Sequence, residues 1–166
     1  MSITRSGVLV TCIIALGSAM LSSQSAGPAG AAQGHVAITP SEVKWGPAPP
    51  GLPPGAQAAV LSGDPTKAGP FALTAKLPDG YRVPPHFHPT NEHVTVTAGT
   101  LMVGMGDKFN EANMKALGVG GYSLMPQKMN HYVRAKGQTT IIVQAMGPFE
   151  ITYVNPQDDP RKKAPK

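Results

Sequence analysis

Short apolar stretches separated by turn residues recur along the chain from Ala56 to Val154. They read AQAAVLSG (56–63), PFALTAKL (70–77), EHVTVTAG (92–99), TLMVGMG (100–106), GYSLM (121–125), NHYVRA (130–135), TTIIVQAM (139–146) and FEITYV (149–154). Several alternate apolar and polar residues, and they are rich in Val, Thr and Ile. That is the pattern of strands with one buried face. Eight such segments at this spacing predict an all-β sandwich or barrel. One short helix is predicted, capped by Asn110, formed by Glu111 to Leu117 and ended by Gly118. Gly104-Met105-Gly106 reads as a hairpin turn. No internal repeat is visible.

The pattern changes before Ala56. Ala32 to Gly55 is a Pro/Gly-rich arm of extended character, and Trp45, the only tryptophan, is placed to pin it onto the domain. Further upstream, Met1 to Arg5 carries one positive charge, Gly7 to Leu21 is apolar, and small residues follow from Ser22 to Ala32. This is the order of a secretory signal peptide. The run falls short of the ~20 residues that span a bilayer, so no stable membrane anchor is expected after cleavage. Ala29-Gly30-Ala31 fits the cleavage site. The expected organisation is a signal peptide (1–31), the arm (32–55), a barrel (56–155) and a basic tail (156–166). Export, to a periplasm or the outside, follows from it.

Composition sharpens the fold class. Nineteen glycines and 18 prolines among 166 residues are nearly twice the average usage of about 12%. Both residues break helix interiors, which disfavours a helical bundle. The hydrophobic content of 41% still supports one core. The net charge of +5 does not form a patch, because Arg161, Lys162, Lys163 and Lys166 all lie in the tail. Basic and aromatic residues do not interleave, so no nucleic-acid partner is expected. Cys12, the single cysteine, lies in the apolar run, which leaves the folded part without a disulfide, a thiolate nucleophile or a cysteine zinc site. The chain has no G-x-S-x-G, Walker A, H-E-x-x-H or dinucleotide-binding glycine motif.

The remaining chemistry is in the histidines. His86 and His88 are two apart, so in extended backbone their rings share one side. Glu92 opens a strand whose inward positions are Val94, Val96 and Ala98, while His93 faces the other way. A carboxylate on an apolar face needs compensation. One metal ion bound by His86, His88 and Glu92 supplies it, and His131, opening a later strand, can add a fourth ligand. His35 and His93 are read as ordinary surface or core residues.

These residues carry a resemblance to the cupins. Gly80, YRVPP, His86-Phe87-His88, PTN, Glu92, HVTVTA and Gly99 match every fixed position of the first cupin motif. Gly120, Pro126 and His131 match the second, with Lys128 in place of a glycine and Ala135 in place of an asparagine. The resemblance covers about Gln57 to Val154. It implies a small antiparallel jelly-roll β-barrel with a metal held by His86, His88, Glu92 and His131. It also implies a possible homodimer.

Three neutral imidazoles and one carboxylate suit one divalent transition metal: Fe, Mn, Ni, Co, Cu or Zn. A six-coordinate ion would keep two positions for water, dioxygen or substrate. The expected function is a metal-dependent enzyme of dioxygenase, decarboxylase or isomerase type, acting on a small organic molecule. A non-catalytic metal- or small-ligand-binding module is the alternative. Val94, Val96 and Leu124 are expected to wall the site, and Arg82, Lys128 or Arg134 to form a cationic rim favouring an anion. Tyr81 and Tyr122 are candidate proton donors.

Overall fold

The alternation of buried and exposed positions builds an antiparallel β fold in the computed structural model, which describes residues 34–162. The apolar run, its cleavage site, Cys12, Lys163 and Lys166 lie outside the described residues. Nine strands run through the described part: β1 (Gly46–Pro47), β2 (Gln57–Ser62), β3 (Gly69–Leu77), β4 (Arg82–Phe87), β5 (Glu92–Met105), β6 (Lys115–Leu117), β7 (Tyr122–Met125), β8 (His131–Gly147) and β9 (Thr152–Tyr153).

β8 is the hub. Its second half pairs with β3 and with the start of β5, and its first half pairs with β4 and the end of β5. β5 and β8 therefore belong to two sheets. One runs β1-β2-β3-β8-β5-β7, and the other runs β9-β4-β8-β5-β6. The core, including Leu77, Val94, Leu101, Val103, Ile141 and Val143, fills the space between them. This is the expected jelly-roll arrangement.

Both shared strands bend as they pass from sheet to sheet. β5 shifts register on either side of Ala98. Gly99 there has a φ of 75°, which a residue without Cβ adopts freely. The shift changes the phase of burial. Val94 and Val96 point inward before it, Leu101 and Val103 after it, and Ala98 is exposed rather than inward. EHVTVTAG and TLMVGMG are thus one strand, and so are NHYVRA and TTIIVQAM. A bulge interrupts pairing locally without ending the ladder, which is why the sequence reads as separate segments.

Two further expectations are corrected, and one strand is added. Gly104 and Met105 are in β5 rather than a hairpin turn, and Gly104 is bare because the Tyr132 ring lies across it. The helix from Glu111 to Leu117 shrinks to a 3₁₀ turn over Glu111–Asn113, with the Ala112 amide donating to the Asn110 side chain (3.0 Å). Lys115–Leu117 instead pairs with β5. So short a segment is marginal as an isolated helix, whereas the edge of β5 offers it ladder bonds. Finally, RVPPHF forms β4. Its two prolines fall where the pairing with β8 slips, between Val83 and His86, so their missing donors break no ladder.

Lys128 takes the place of the motif glycine and its backbone conformation, with a φ of 60°. Its amide donates to the His88 carbonyl (2.8 Å), which holds the turn. A Cβ in this region costs about 1–2 kcal/mol. Lys128→Gly removes that cost and adds chain entropy to the unfolded state. A net gain of about 0.5–1 kcal/mol is expected, read as a melting temperature a few degrees higher. An unchanged or lower value would contradict a strained turn.

The arm is tied to the barrel. The Lys76 ammonium sits 4.0 Å above the half-buried Trp45 ring. The Tyr153 hydroxyl donates to the Gly51 carbonyl (2.8 Å), and the Tyr81 hydroxyl donates to the Pro53 carbonyl (2.5 Å).

Candidate metal centre

His86 lies near the end of β4 and His131 opens β8, where the two are cross-strand partners. His88 follows β4 directly, and Glu92 opens β5. All four side chains are buried. The ring centroids lie 4.2 Å apart for His86 and His131, 5.1 Å for His86 and His88, and 5.4 Å for His88 and His131. One ligating nitrogen from each ring lies within 4.8 Å of the others. Glu92 Oε2 stands 3.3 Å from His131 Nε2 and 3.5 Å from His88 Nε2.

The tautomers follow from the partners. His86 Nδ1 faces the Pro84 carbonyl (2.7 Å), His88 Nδ1 the Glu150 carbonyl (2.6 Å), and His131 Nδ1 the Met129 carbonyl (3.0 Å). A carbonyl only accepts, so each Nδ1 carries the hydrogen and donates. In the neutral ring each Nε2 is then a bare lone pair. Burial, followed by the neighbouring His131 and His88, pushes His86 down to about 3. Burial also pushes His88 down, against the pull of Glu92. Burial raises the Glu92 carboxyl, and its contacts with His131, His88 and His86 more than offset this, holding it below the usual value.

With the rings neutral, acceptors face acceptors; a proton on an imidazole is what draws the Glu92 carboxyl down. His131 Nε2 is buried without a hydrogen-bond partner. Ligand atoms bound about 2.1 Å from one ion lie roughly 3.0–3.4 Å from their neighbours, close to the Glu92–imidazole distances. Three imidazoles, each anchored through its other nitrogen, are the arrangement that metal sites use to orient ligands. The residues present fit a divalent transition metal.

The centre opens on a cavity of about 290 Å³ between the two sheets. Its wall is apolar, with Leu73, Leu77, Val94, Met125, Ile141 and Phe149 among its residues. Phe149 stacks on His88, with centroids 4.2 Å apart and planes 15° apart. The arm supplies Pro47, Pro49 and Leu52 to the same wall.

Several expected participants lie elsewhere. Leu124 is 44% exposed, because it pairs with His93 on the outer side of the sheet. Arg82 and Arg134 both bind Glu111, and Lys128 is exposed, so none of the three lines the cavity. Tyr81 is committed to the arm, and Tyr122 is exposed and bonded to His93 Nδ1 (2.6 Å). His35 is exposed.

The three anchoring carbonyls, Phe149 and the arm's share of the wall were not read from the sequence. Two of the carbonyls lie two residues before their histidine, a local spacing that was available. The third reaches His88 from 62 residues away and carried no local signal.

Acidification should expose the buried imidazoles. His86 is neutral when folded down to about pH 3, whereas an unfolded imidazole protonates near its model value of 6.5. The unfolded chain therefore binds the proton first as pH falls. This contribution is complete above about 6.5 and disappears between about 6.5 and 3. The depressed Glu92 adds a loss in the same direction below its ordinary value of 4.5. Urea midpoints of metal-free protein at pH 7, 5.5 and 4 should fall steadily, and equal midpoints would contradict neutral buried rings.

A protein-family model described as "Domain of unknown function (DUF4437)" matches residues 23–152. No curated protein matches the chain. Among solved structures, the polyketide cyclase RemF from Streptomyces resistomycificus is 19% identical, with a TM-score of 0.61 over 75% of this chain and 88% of that one. An RmlC-like cupin from Shewanella frigidimarina is 15% identical, with a TM-score of 0.53 over 69% and 92%. KdgF from a Halomonas species is 20% identical, with a TM-score of 0.53 over 68% and 93%. At these identities the likeness establishes the fold, which is that of the cupins.

Proposed function

We propose a function from the premise that the chain belongs to the DUF4437 family and has the cupin fold: it is an exported enzyme that holds one divalent transition metal through His86, His88, Glu92 and His131 and acts on a small organic molecule. The observation that carries this reading is the set of three Nδ1–H donors tied to backbone carbonyls, which leaves three converging imidazoles with bare Nε2 atoms, two of them within 3.5 Å of Glu92.

When bound, the metal supplies Lewis-acid polarisation of a substrate oxygen. The protein's own share is positional. The carbonyls of Pro84, Glu150 and Met129 hold the imidazoles in one tautomer. Glu92 offsets one unit of the ion's charge. The apolar wall keeps water from the reacting end of a bound molecule.

A binding module is the second reading, because one observation favours it. Among the described residues, the exposed Glu150 is the one ionisable side chain lining the cavity besides the four ligands. Proton transfer would then rely on Glu92, Glu150 or water. Metal-loaded protein incubated with diketones, phenols and carboxylates, with products followed by mass spectrometry, separates the two. Turnover that is lost in His131→Ala supports the enzyme. Silence across the panel in fully loaded protein overturns it in favour of the binder. Export rests on the apolar run from Gly7 to Leu21. Mass spectrometry of the protein from an exporting host should find a chain that begins near Ala32, and an intact Met1 start would contradict it.

A further inference from the structure

Charge and polarity divide the cavity into two unequal parts. At one end stand His86, His88, Glu92 and His131. Everything else that lines it is apolar or backbone, apart from Glu150 at its exposed edge. The wall comes from both sheets and the arm: Leu52 from the arm, Leu73 and Leu77 from β3, Val133 and Val143 from β8, and Ile151 from the segment before β9. Among the described residues, no Lys, Arg, Asn, Gln, Ser or Thr lines it. Of the cations around it, Arg161 donates to the Ile151 carbonyl and is paired with Asp159, and Arg82 and Arg134 share Glu111.

A ligand with several hydroxyls or charges would lose its hydration here without gaining partners, and each unpaired polar group costs free energy. A sugar acid or a phosphorylated metabolite is therefore a poor occupant. The volume of about 290 Å³ admits one fragment-sized molecule. Resting on the metal-centre reading above, we infer that the substrate class is a compact apolar molecule, aromatic or aliphatic in its body, with a single oxygen-donor head that meets the metal. The wall recognises the body by burial alone. The head is the one part that needs polar partners.

The test uses the full mature chain loaded with Co²⁺, whose visible spectrum reports what enters the metal's surroundings. Two probes are titrated by calorimetry and absorbance: 1-phenyl-1,3-butanedione, apolar with one donor head, and galacturonate, a sugar acid of similar size. The diketone should perturb the cobalt bands and bind at least 10-fold more tightly than galacturonate. Leu73→Gln places an amide in the wall, far in sequence from the ligands. It should weaken diketone binding about 10-fold while cobalt content stays at the wild-type level. Galacturonate binding as tightly as the diketone, or Leu73→Gln leaving diketone affinity unchanged, would overturn the inference. A chain that takes up no cobalt instead overturns the metal reading. The same probe pair, run by thermal shift on the metal-free protein, then decides the substrate class by itself.

Discussion

Replacing His86 and His88 together by alanine should raise the dissociation constant for a divalent transition metal by at least about 1,000-fold. Loss of one partner behind a ligand already costs roughly 10–100-fold in metal sites, and this change removes two ligands outright. The remaining His131 and Glu92 would leave an ion with half its protein donors. Competition against a chromogenic chelator measures the effect. Far-UV circular dichroism should stay near wild type, which shows that the variant is folded. The sheets are set by the β5–β8 and β3–β8 ladders, and neither histidine belongs to them. Unchanged metal affinity in a folded double variant would remove His86 and His88 from the ligand set.

Gly99→Ala should be among the most damaging single methyls in the barrel. The position needs a φ of 75°, and a Cβ there would press on the Gln138 carbonyl and stand 2.9 Å from Thr139 Cα. Both obstacles are backbone of the partner strand, which cannot swing away as a flexible side chain would. The left-handed cost of about 1–2 kcal/mol adds to overpacking of about 1–3 kcal/mol, for an expected loss of roughly 2–4 kcal/mol. Urea denaturation reads it directly. Thr139 is fully buried and its hydroxyl donates to the Thr100 carbonyl (2.9 Å), so the crossing point of the two sheets is where the strain falls. A loss below about 1 kcal/mol would mean that the bulge relaxes.

The same glycine shows how much was legible beforehand. Gly99 closes the first motif, and the alternation of Glu92, Val94 and Val96 correctly places the carboxylate on the buried face. What the pattern could not show is that the strand continues past the glycine, because a bulge and a strand end look alike in sequence. His86 and His88 were legible from spacing, and His131 from the partly matched second motif. Lys128 shows the opposite case: the turn keeps its left-handed residue although the glycine is gone. The cationic rim failed for a tertiary reason. Arg82 and Arg134 are cross-strand partners that share Glu111, a residue assigned to a helix on propensity. The arm also reached further than its composition implied. Trp45 was placed to pin it, but the Tyr81 and Tyr153 hydroxyls that tie down Pro53 and Gly51 come from distant strands.

The central claim is that one divalent transition metal occupies the point shared by three imidazoles and Glu92. Elemental analysis tests it most directly. The wild-type chain and His86→Ala/His88→Ala are each loaded with a divalent transition metal, passed through a desalting column and assayed for Mn, Fe, Co, Ni, Cu and Zn. About one ion per chain in the wild type, falling to near zero in the variant, is the predicted result. A wild type that retains none, or a variant that retains as much as the wild type, would contradict it.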